Sequence, residues 1–439
     1  MRRSGSPGRA STPTKADARL KPLKIAIAGA GPAGLAAALF LNRAGHRVTL
    51  FERFAEPAPL GSGLILQPTG LTVLDALGLL PAALALGARI DRLYGADART
   101  GRTVLDVRYN ARRGGRFGVA VHRAALFSVL YDAVTAAGIP IETGVEIAGM
   151  EAGEHVSLVI ANGRSHGGFD LVVDASGTRS RLRRHCNRPS EPQPLAYGAF
   201  WASLAWRGDG FDPHALVQRY DKASVMIGVM PIGKPEPGGE SQAAFFWSLK
   251  PDEADAVRAA GLGAWKERVA GLWPQTGAYL DQIASFDQLT LARYGHHTLA
   301  VPAGRRLAVI GDAAHSTSPQ LGQGANMALL DAAALAHALE KGSGLDDALA
   351  DYARSRRNHV RLFQALSWMF TPFYQSDSSV LPFVRDRLVA TIAKVPPAPQ
   401  FLAAMVAGTV IDPFAAIGMA ETRWDRLPAP RGDVSGLRR

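Results

Sequence analysis

Residues 23–52 read LKIAIAGAGPAGLAAALFLNRAGHRVTLFE, and this stretch decides the fold. The apolar run LKIAIAG predicts a β-strand, the turn GAGPAG follows it, and a helical stretch ends near Ala44 and Gly45 before a second strand, HRVTLFE. Strand, turn, helix and strand in this order, within about thirty residues, form a βαβ unit. We therefore predict an α/β fold that begins with a parallel βαβ unit.

The glycine spacing in this unit predicts a dinucleotide site. Gly29, Gly31 and Gly34 match G-x-G-x-x-G, in which the glycines allow a tight turn, approach to a pyrophosphate and close helix packing. Pro32 suits the first helical turn, whose free amides and dipole face the phosphates. Glu52 ends the second strand, 18 residues beyond Gly34, where a carboxylate accepts hydrogen bonds from an adenosine ribose. An acid at this position favours FAD or NAD over NADP.

A later segment, Arg305–Leu339, favours FAD over NAD. It reads RRLAVIGDAAHSTSPQLGQGANMALLDAAALAHAL, which predicts a strand, a loop and a helix with glycines at its start. Asp312 offers a carboxylate to ribitol, while Gly322 and Gly324 let the backbone approach a flat ring. A helix starting near Asn326 would direct its positive end at that ring and stabilise the negative charge of a reduced flavin.

Two further segments carry candidate residues. The segment Phe169–Arg184, FDLVVDASGTRSRLRR, predicts another strand and loop, with Gly177, Ser180 and Arg183 in the loop. The segment VHRAALFSVL places Arg123 at the start of a helix, where its side chain can meet pyrophosphate or ring oxygens.

From about Lys24 to Leu339 these motifs, in this order, resemble the class A flavoprotein monooxygenases, the para-hydroxybenzoate hydroxylase-like family. The resemblance implies bound FAD, NAD(P)H as a transient co-substrate, and O2. It also implies hydroxylation of an aromatic or quinone-like small molecule through a C4a-(hydro)peroxyflavin. The cofactor-binding residues that we expect are Gly29, Gly31, Ala33, Gly34, Glu52, Arg53, Arg123, Asp312, Pro319, Gly322, Gly324 and Asn326. We assign no catalytic residue and expect no metal site.

The middle loop departs from the family pattern. Family members usually carry Asp directly before the glycine, whereas Ser176 precedes Gly177 here and Asp174 stands two positions earlier. The usual motif is associated with nicotinamide handling, so the reductant and its docking stay open. An FAD-dependent reductase or dehydrogenase of an isoprenoid or quinone-like substrate, without oxygen insertion, therefore remains an alternative. A halogenase is less favoured because the GWxWxIP segment is absent, and an FAD-binding redox sensor is the alternative outside the enzymes.

The remaining patterns predict the domain organisation. We expect a disordered basic leader at 1–23, a Rossmann-like FAD-binding domain at 24–194 and 290–345, an antiparallel β-sheet substrate domain at 195–289, and helices at 346–439. Alternating apolar segments in the substrate domain indicate a sheet with one buried face. Its large side chains, which we expect to lie mostly in the core with a minority lining the pocket, are Trp201, Met226, Met230, Phe246 and Trp247.

The C-terminal region carries an apolar stripe at three- and four-residue spacing, preceded by four arginines. The stripe is Val360, Phe363, Leu366, Met369, Phe370 and Phe373, and the arginines are Arg354, Arg356, Arg357 and Arg361. Packing against the body or a sister subunit is the favoured interpretation, and contact with a membrane surface is the alternative. The sequence leaves the oligomeric state open.

Charge and cysteine content exclude several classes. The formal net charge is +11, but residues 1–24 hold seven basic residues against one acidic residue, so the body has no strongly basic face and we expect no nucleic-acid partner. No apolar run approaches the roughly 18 residues of a membrane-spanning helix. Cys186 is the single cysteine, which excludes an internal disulfide and fits a cytoplasmic location.

Three histidines are candidates for local roles. His315, in GDAAH, is expected to order the loop beside Asp312, and these two residues have no further ligands spaced to complete a metal site. His296 and His297 can hold or deprotonate a phenol, although two polar loop residues are the favoured interpretation.

Overall fold

The structure is a computed structural model that describes residues 20–57, 61–112, 114–208 and 210–427. The strands are β1 Lys24–Ala28, β2 Arg47–Glu52, β3 Gly63–Leu66, β4 Ala88–Ile90, β5 Arg92–Asp97, β6 Thr103–Arg108, β7 Gly118–His122, β8 Ile141–Thr143, β9 Ile147–Ala152, β10 Val156–Ile160, β11 Ser165–Phe169, β12 Leu171–Asp174, β13 Gln193–Pro194, β14 Gly198–Ala205, β15 Ala215–Asp221, β16 Val225–Gly233, β17 Gln242–Leu249, β18 Thr290–Ala292, β19 Gly295–His296, β20 Ala303–Gly304 and β21 Leu307–Val309. Residues 1–19 of the basic leader lie outside the described ranges, so its disorder stays a prediction.

The helices follow the same chain order. They are α1 Pro32–Arg43, α2 Pro68–Ala76, α3 Leu80–Leu86, α4 Arg123–Ala136, α5 Ala254–Ala259, α6 Leu262–Leu272, α7 Gly277–Leu280, α8 Gly324–Lys341, α9 Leu345–Tyr374, α10 Val380–Val384, α11 Ala390–Ile392 and α12 Ala398–Ala407. A π-helical turn, Arg385–Val389, joins α10 to α11. The predicted βαβ unit is therefore present as β1, α1 and β2.

The first sheet brings three chain segments to one edge. Within the described ranges its order is β20-β21-β12-β1-β2-β8, parallel from β21 to β8. The register sets Ala28, at the end of β1, beside Asp174, at the end of β12, and Asp174 beside Val309, at the end of β21. Because the carboxyl ends of parallel strands meet at the same edge, the loops after these three residues start side by side.

Small residues let α1 pack closely on this sheet and on α8. Ala36, Ala37 and Ala38 of α1 are fully buried in the same cluster as Leu329 and Leu335 of α8. Short side chains keep the two helices near each other, so the N-termini of both reach the edge where the three loops begin.

The second sheet takes strands from two distant parts of the chain. Its order is β18-β14-β17-β16-β15-β5-β6, antiparallel except where β15 pairs with β5 in parallel. The strands β5 and β6 span residues 92–108, which the sequence analysis gave to the FAD-binding part. The division of the chain into domains remains a prediction. These two strands lie within the predicted FAD-binding segment but pair in the sheet of the predicted substrate domain.

The prediction of one buried sheet face is wrong, because both faces are covered. On one face, Phe245 and Trp247 pack with Trp265 of α6. On the other face, Phe246 packs with Tyr220 and Met226. Val406 of α12 belongs to a further cluster, with Met230 of β16, on this side. The burial pattern of β16 is accordingly continuous, as it is for strands enclosed on both sides.

The C-terminal stripe divides into a buried and an exposed part. Val360, Phe363 and Leu366 pack on Met327 and other residues near the start of α8, as the favoured interpretation predicts. Met369 is 47% exposed, whereas the next residue, Phe370, is partly buried against the same cluster. Arg356 is 1% exposed and so does not belong to a basic surface. Across the described chain, we find no helix with the length and apolarity needed to cross a bilayer.

Candidate functional site

The three motif loops hold one another at the sheet edge. Gly29 has φ +101°, and a Cβ added there would lie 2.6 Å from the carbonyl oxygen of Ala175. The Ala175 amide donates to the carbonyl of Ala28 (2.9 Å), and the Ile310 amide donates to that of Asp174 (2.9 Å). Only glycine tolerates both this backbone conformation and this approach, so the first glycine of the motif fixes the turn.

The N-terminus of α1 can bind an anion. Gly31 precedes the helix, no side chain caps it, and its first turn contains no acid. The helix begins with the Leu35 amide bonding to the Gly31 carbonyl, so the amides of Ala33 and Gly34 lack helical partners. A Cβ added to Gly31 would meet nothing within 4 Å. Open space beside unpaired amides and a positive helix end suits a phosphate group.

Glu52 is tied to this turn by both of its carboxylate oxygens. Oε2 accepts a hydrogen bond from the Ala30 amide (2.9 Å) and Oε1 from the Phe54 amide (3.0 Å). A carboxylate accepts about four hydrogen bonds, so acceptor positions remain for a ligand. The neighbouring Arg53 is exposed, with its guanidinium 4.5 Å from the centre of the Phe54 ring.

Asp312 presents a carboxylate without a hydrogen-bond partner among the described residues. It lies in a short helical turn directly after β21, in a recess that stays open to solvent. Burial raises the pKa of its carboxyl, while the charges of His315 and Arg123 act against that rise. A Cβ added to Gly324 would lie 3.8 Å from Asp312 Oδ1, so two of the predicted residues adjoin here.

Arg123 begins α4, as predicted, and its side chain lies along the approach to Asp312. Its amide donates to the Ser62 carbonyl (2.9 Å), and its Nε would lie 3.2 Å from a Cβ added to Gly61. The guanidinium is exposed and influences the pKa values of Asp312 and Tyr294. It therefore faces the same recess.

The segment from Pro319 to Asn326 forms the opposite wall. Gly322 adopts φ +60° after a short helical turn, and α8 starts at Gly324. The side chain of Asn326 accepts from the Gln67 amide (2.8 Å) and donates to the carbonyls of Ile65 (3.1 Å) and Gly322 (2.9 Å). These three bonds fix the loop to β3, so the Asn326 side chain itself is used in holding the loop.

Comparison with known proteins identifies the fold and the family. The sequence profile of a family described as an FAD binding domain matches residues 23–366. The chain belongs to this family. The class A flavoprotein monooxygenases, to which the motifs point, include the relatives and structures that follow.

Two relatives and one solved structure illustrate the family. A 3-amino-4-hydroxybenzoate 2-monooxygenase of Streptomyces cremeus is 30% identical over 336 residues, covering 73% of this chain and 80% of that protein. An aurachin C monooxygenase/isomerase of Stigmatella aurantiaca is 26% identical over 374 residues, which cover 84% of this chain and 94% of that protein. The structure of Klebsiella pneumoniae HpxO with FAD and uric acid superimposes with a TM-score of 0.75 at 19% identity. The match covers 88% of this chain and 97% of that chain.

FAD is the cofactor of this flavoprotein family, and the residues at the sheet edge fit it. The unpaired amides beside Gly31 match a pyrophosphate, Glu52 and Asp312 offer acceptors to hydroxyl groups, and Gly322 leaves backbone without a side chain near a flat ring. The other eight residues of the predicted set lie on these loops or beside them. Ala33, for example, would lie 3.2 Å from a Cβ added to Gly311, which joins the first loop to the last.

A buried ionic cluster beneath the last loop was not predicted. Asp331 Oδ2 accepts from the Gly311 amide (2.9 Å) and from His315 Nε2 (2.5 Å), and Oδ1 accepts from Arg356 Nε (2.7 Å). Burial alone would raise the pKa of Asp331, but His315 and Arg356 outweigh it and lower the pKa to about 2. The loop-ordering partner of His315 is therefore Asp331, because Asp331 projects from α8 directly beneath the turn, and not Asp312.

In this flavoprotein the acid of the middle loop is structural. Asp174 is fully buried, and its carboxylate accepts from the Ser176 amide (3.1 Å), the Ser176 hydroxyl (2.5 Å) and the Ser180 hydroxyl. Burial raises the pKa of Asp174, and the hydrogen bonds of the two serines act against that rise. The exposed position before Gly177 is Ser176, so this loop offers a hydroxyl where the family usually offers a carboxylate.

The histidine pair lies on a short two-stranded ribbon, β13 and β19. His297 is 4% exposed, and its Nε2 lies 2.8 Å from the Ser190 carbonyl and 3.0 Å from the Ser190 hydroxyl. His296 pairs in register with Gln193. Burial lowers the pKa of both histidines, so both rings are neutral at neutral pH. Their contacts are those of structural residues, and a substrate role for either stays a hypothesis.

Sequence reasoning missed Gln67, which stands in the motif stretch GSGLILQPTG. Its Oε1 accepts from the hydroxyl of Tyr109, and its buried Nε2 has no hydrogen-bond partner in the described chain. A Cβ added to Gly322 would lie 3.2 Å from Nε2, so this donor adjoins the loop predicted to hold the flavin ring. An isolated polar residue after an apolar strand was the available signal.

Tyr294 and Trp201 are joined by a hydrogen bond within a group of aromatic side chains. Trp201 Nε1 donates to the Tyr294 hydroxyl (2.8 Å), and the Trp201 ring lies 4.6 Å from that of Phe246. Burial raises the pKa of Tyr294 to about 12, against the opposing influence of Trp201 and Arg123. The phenol is therefore neutral and keeps its proton available beside the recess that Arg123 faces.

Proposed function

We propose that this protein hydroxylates a small aromatic or quinone-like substrate, using FAD, NAD(P)H and O2. The observation that carries the proposal is the meeting of three motif loops at one sheet edge, where Asp312 and the N-terminus of α1 have free bonding capacity. The monooxygenase names of the two relatives support oxygen insertion over the reductase alternative that Ser176 left open.

The loop after β1, the end of β2 and the loop after β21 are assigned to successive parts of the cofactor. We place the pyrophosphate at the amides of Ala33 and Gly34, the adenosine ribose at Glu52 and the ribitol at Asp312. The free acceptor positions of both carboxylates and the open space at Gly31 support this assignment. Bound FAD supplies hydride acceptance and oxygen activation, and the protein supplies binding, orientation and electrostatics.

The segment from Pro319 to Gly324 is assigned to the flavin ring. The positive N-terminus of α8 would stabilise negative charge on the ring, and Arg123 would add a cation from the opposite side. Gln67 Nε2 would donate a hydrogen bond in the same region, which would satisfy a buried donor that otherwise stays unpaired.

The substrate is assigned to the recess beside the second sheet. Trp201 and Phe246 give it an apolar wall that excludes water. The proton of the Tyr294 hydroxyl, which is not used toward Trp201, would be donated to an oxygen atom of the substrate. A cytoplasmic location is proposed from the single thiol, Cys186, which is free and buried.

Oxygen consumption tests the reaction. Purified protein should be yellow and should oxidise NAD(P)H faster when a suitable phenol, hydroxypyridine, quinolone or quinone is added. With 18O2, the product mass should increase by one labelled oxygen atom per turnover. Full turnover without O2 would establish the reductase alternative, and a folded protein that takes up no flavin would refute both.

A further inference from the structure

One helical segment exposes apolar side chains to solvent over its whole length. Val380, Phe383, Leu388, Ile392 and Val395 are 66%, 61%, 56%, 55% and 60% exposed. Single exposed apolar residues are ordinary, but a contiguous group on one short segment marks a contact surface. We call these five side chains the apolar stripe.

The stripe crosses a change in helix geometry. Its members follow one another at steps of three, five, four and three residues, which in a regular α-helix would drift around the axis at the step of five. That step, from Phe383 to Leu388, spans the π-helical turn Arg385–Val389. A π-helical turn, which bonds residues five apart, therefore lies between the first two members of the stripe and the rest.

The opposite side of the segment is anchored to the body. Arg385 is 1% exposed, and its Nη1 donates to the Phe373 carbonyl (2.8 Å). Its guanidinium lies 5.0 Å from the ring centre of Tyr220 and 5.4 Å from that of Tyr374. Pro382 is also buried. The stripe is therefore held outward by fixed contacts on the inner side.

Cations without partners border the stripe. A cavity of about 240 Å³ lies between β6 and the segment, lined by Arg102, Thr103, Asp386, Arg387, Ala390, Thr391 and Lys394. Within the described ranges, Arg102, Arg387 and Lys394 make no ion pair. Asp386 already accepts from Arg385 Nε at 2.6 Å, so it does not neutralise them. The Arg387 guanidinium lies 5.4 Å from the ring centre of Phe383, which joins the cations to the stripe.

We propose that this surface docks on an anionic phospholipid membrane. The apolar stripe would enter the boundary between headgroups and acyl chains, and a lipid phosphate would occupy the cavity between Arg102, Arg387 and Lys394. Apolar area and basic charge on one helical face are the two contributions that hold a protein on such a surface.

A second copy of the chain fits this surface less well. In a symmetric dimer the same patch lies on both sides of the interface, so the unpaired cations Arg102, Arg387 and Lys394 of each copy would be brought together. The one acid lining the cavity, Asp386, is held by Arg385. Like charges would therefore meet without compensation, whereas an anionic lipid surface neutralises all three cations at once.

Co-sedimentation with vesicles tests the proposal on the full-length FAD-loaded protein. Vesicles of phosphatidylcholine with about one third phosphatidylglycerol should sediment the protein at low salt, and vesicles of phosphatidylcholine alone should not. High salt should release it, because the charge attraction is screened. The double variant Arg387→Glu/Lys394→Glu should bind anionic vesicles at least about tenfold more weakly. Leu388→Ser/Ile392→Ser should weaken binding to anionic vesicles at low salt, although it leaves the three cations in place.

Lys341→Glu is the matched control, since it reverses an exposed charge at the end of α8 and should leave vesicle binding unchanged. All variants should keep their FAD absorbance and circular dichroism, which separates lost docking from lost folding. Three results would overturn the proposal: wild-type protein that stays in solution with anionic vesicles, equal binding by the charge-reversal variant, or a dimer that Leu388→Ser/Ile392→Ser dissociates.

Discussion

Asp312 and Asp331 are both surrounded by protein, and their contacts give them opposite roles. Asp331 bonds to Gly311, His315 and Arg356, and its pKa is lowered to about 2. Asp312 has no hydrogen-bond partner in the described chain, and burial raises its pKa. One carboxylate is fully used in holding the loop, and the other is left for a ligand.

Replacing Asp312 by Ala should weaken FAD binding. A hydrogen bond to a charged group contributes about 1.5–3 kcal/mol, so the Kd for FAD should rise by about tenfold or more. Titration of the apoprotein, followed by flavin fluorescence, measures this. Asp312→Asn, which keeps an acceptor, should lie between wild type and Asp312→Ala. An unchanged Kd in both variants would remove Asp312 from the cofactor site.

Replacing Asp331 by Asn should destabilise the whole protein. Arg356 and His315 would lose the carboxylate that compensates their burial, at a cost of about 3 kcal/mol or more in the free energy of unfolding. Urea denaturation measures the loss. Asp346→Asn, at an exposed position in the first turn of α9, is the control and should cost less than about 1 kcal/mol. Equal losses would mean that the cluster is not a source of stability.

At the level of elements, the beginning of α1 is a strand–turn–helix junction that leaves its amides free. Gly31→Val should preserve the fold, because an added Cβ meets nothing within 4 Å, but should prevent approach of the pyrophosphate. The purified variant should therefore be colourless with unchanged circular dichroism. Gly263→Val, inside α6 and equally uncrowded, is the control and should remain yellow. A yellow Gly31→Val protein would contradict the pyrophosphate assignment.

The end of α12 is crowded against α2 and the loop that precedes α8. Gly408 has φ +81°, and an added Cβ would lie 2.7 Å from Thr69 Oγ1 and 3.1 Å from Gln323 Oε1. Gly408→Ala should therefore combine backbone strain with overlap and cost about 2 kcal/mol or more.

Gly138→Ala measures the cost of backbone strain without any steric overlap. Gly138 follows α4 with φ +66° and open surroundings, so its replacement should cost about 1 kcal/mol. Thermal unfolding of both variants measures the difference. If Gly408→Ala is no more costly than Gly138→Ala, α12 is not packed tightly on this loop.

For the molecule as a whole, stability should fall on mild acidification. His359 is 2% exposed, and burial and the charge of Arg356 lower its pKa to about 3, whereas its unfolded value is near 6.5. The unfolded chain therefore binds one more proton between about pH 6.5 and 3, so the free energy of unfolding decreases as pH falls through that window. His359 alone contributes a slope of about 1.4 kcal/mol per pH unit.

The variant His359→Gln isolates this contribution. Glutamine can still donate to the Gly408 carbonyl, which His359 Nε2 contacts at 2.9 Å, but it does not titrate. Urea denaturation at several values between pH 7 and 4 should give a shallower dependence for the variant. Parallel curves for the two proteins would show that His359 is not protonated on unfolding.

The sequence predicted the first βαβ unit and the order of the three loops, because local periodicity and glycine spacing are properties of short segments. It did not predict the partners of His315 or the pairing of β5 with β15. Both depend on contacts between segments at least sixteen residues apart, and in the second case more than one hundred. The position of Gln67 beside the predicted flavin-ring loop was not predicted for the same reason, since its neighbour Gly322 is remote in the chain.

The central position of β12, between β1 and β21, has a consequence for biosynthesis. A ribosome that has translated the glycine-rich turn has not yet made the strands that support it, and the last of them ends at Val309. A nascent chain shorter than this holds the phosphate-binding turn but no complete edge. We therefore expect flavin uptake only after β21 has been synthesised, so that the yellow colour would mark chains in which all three loops have come together.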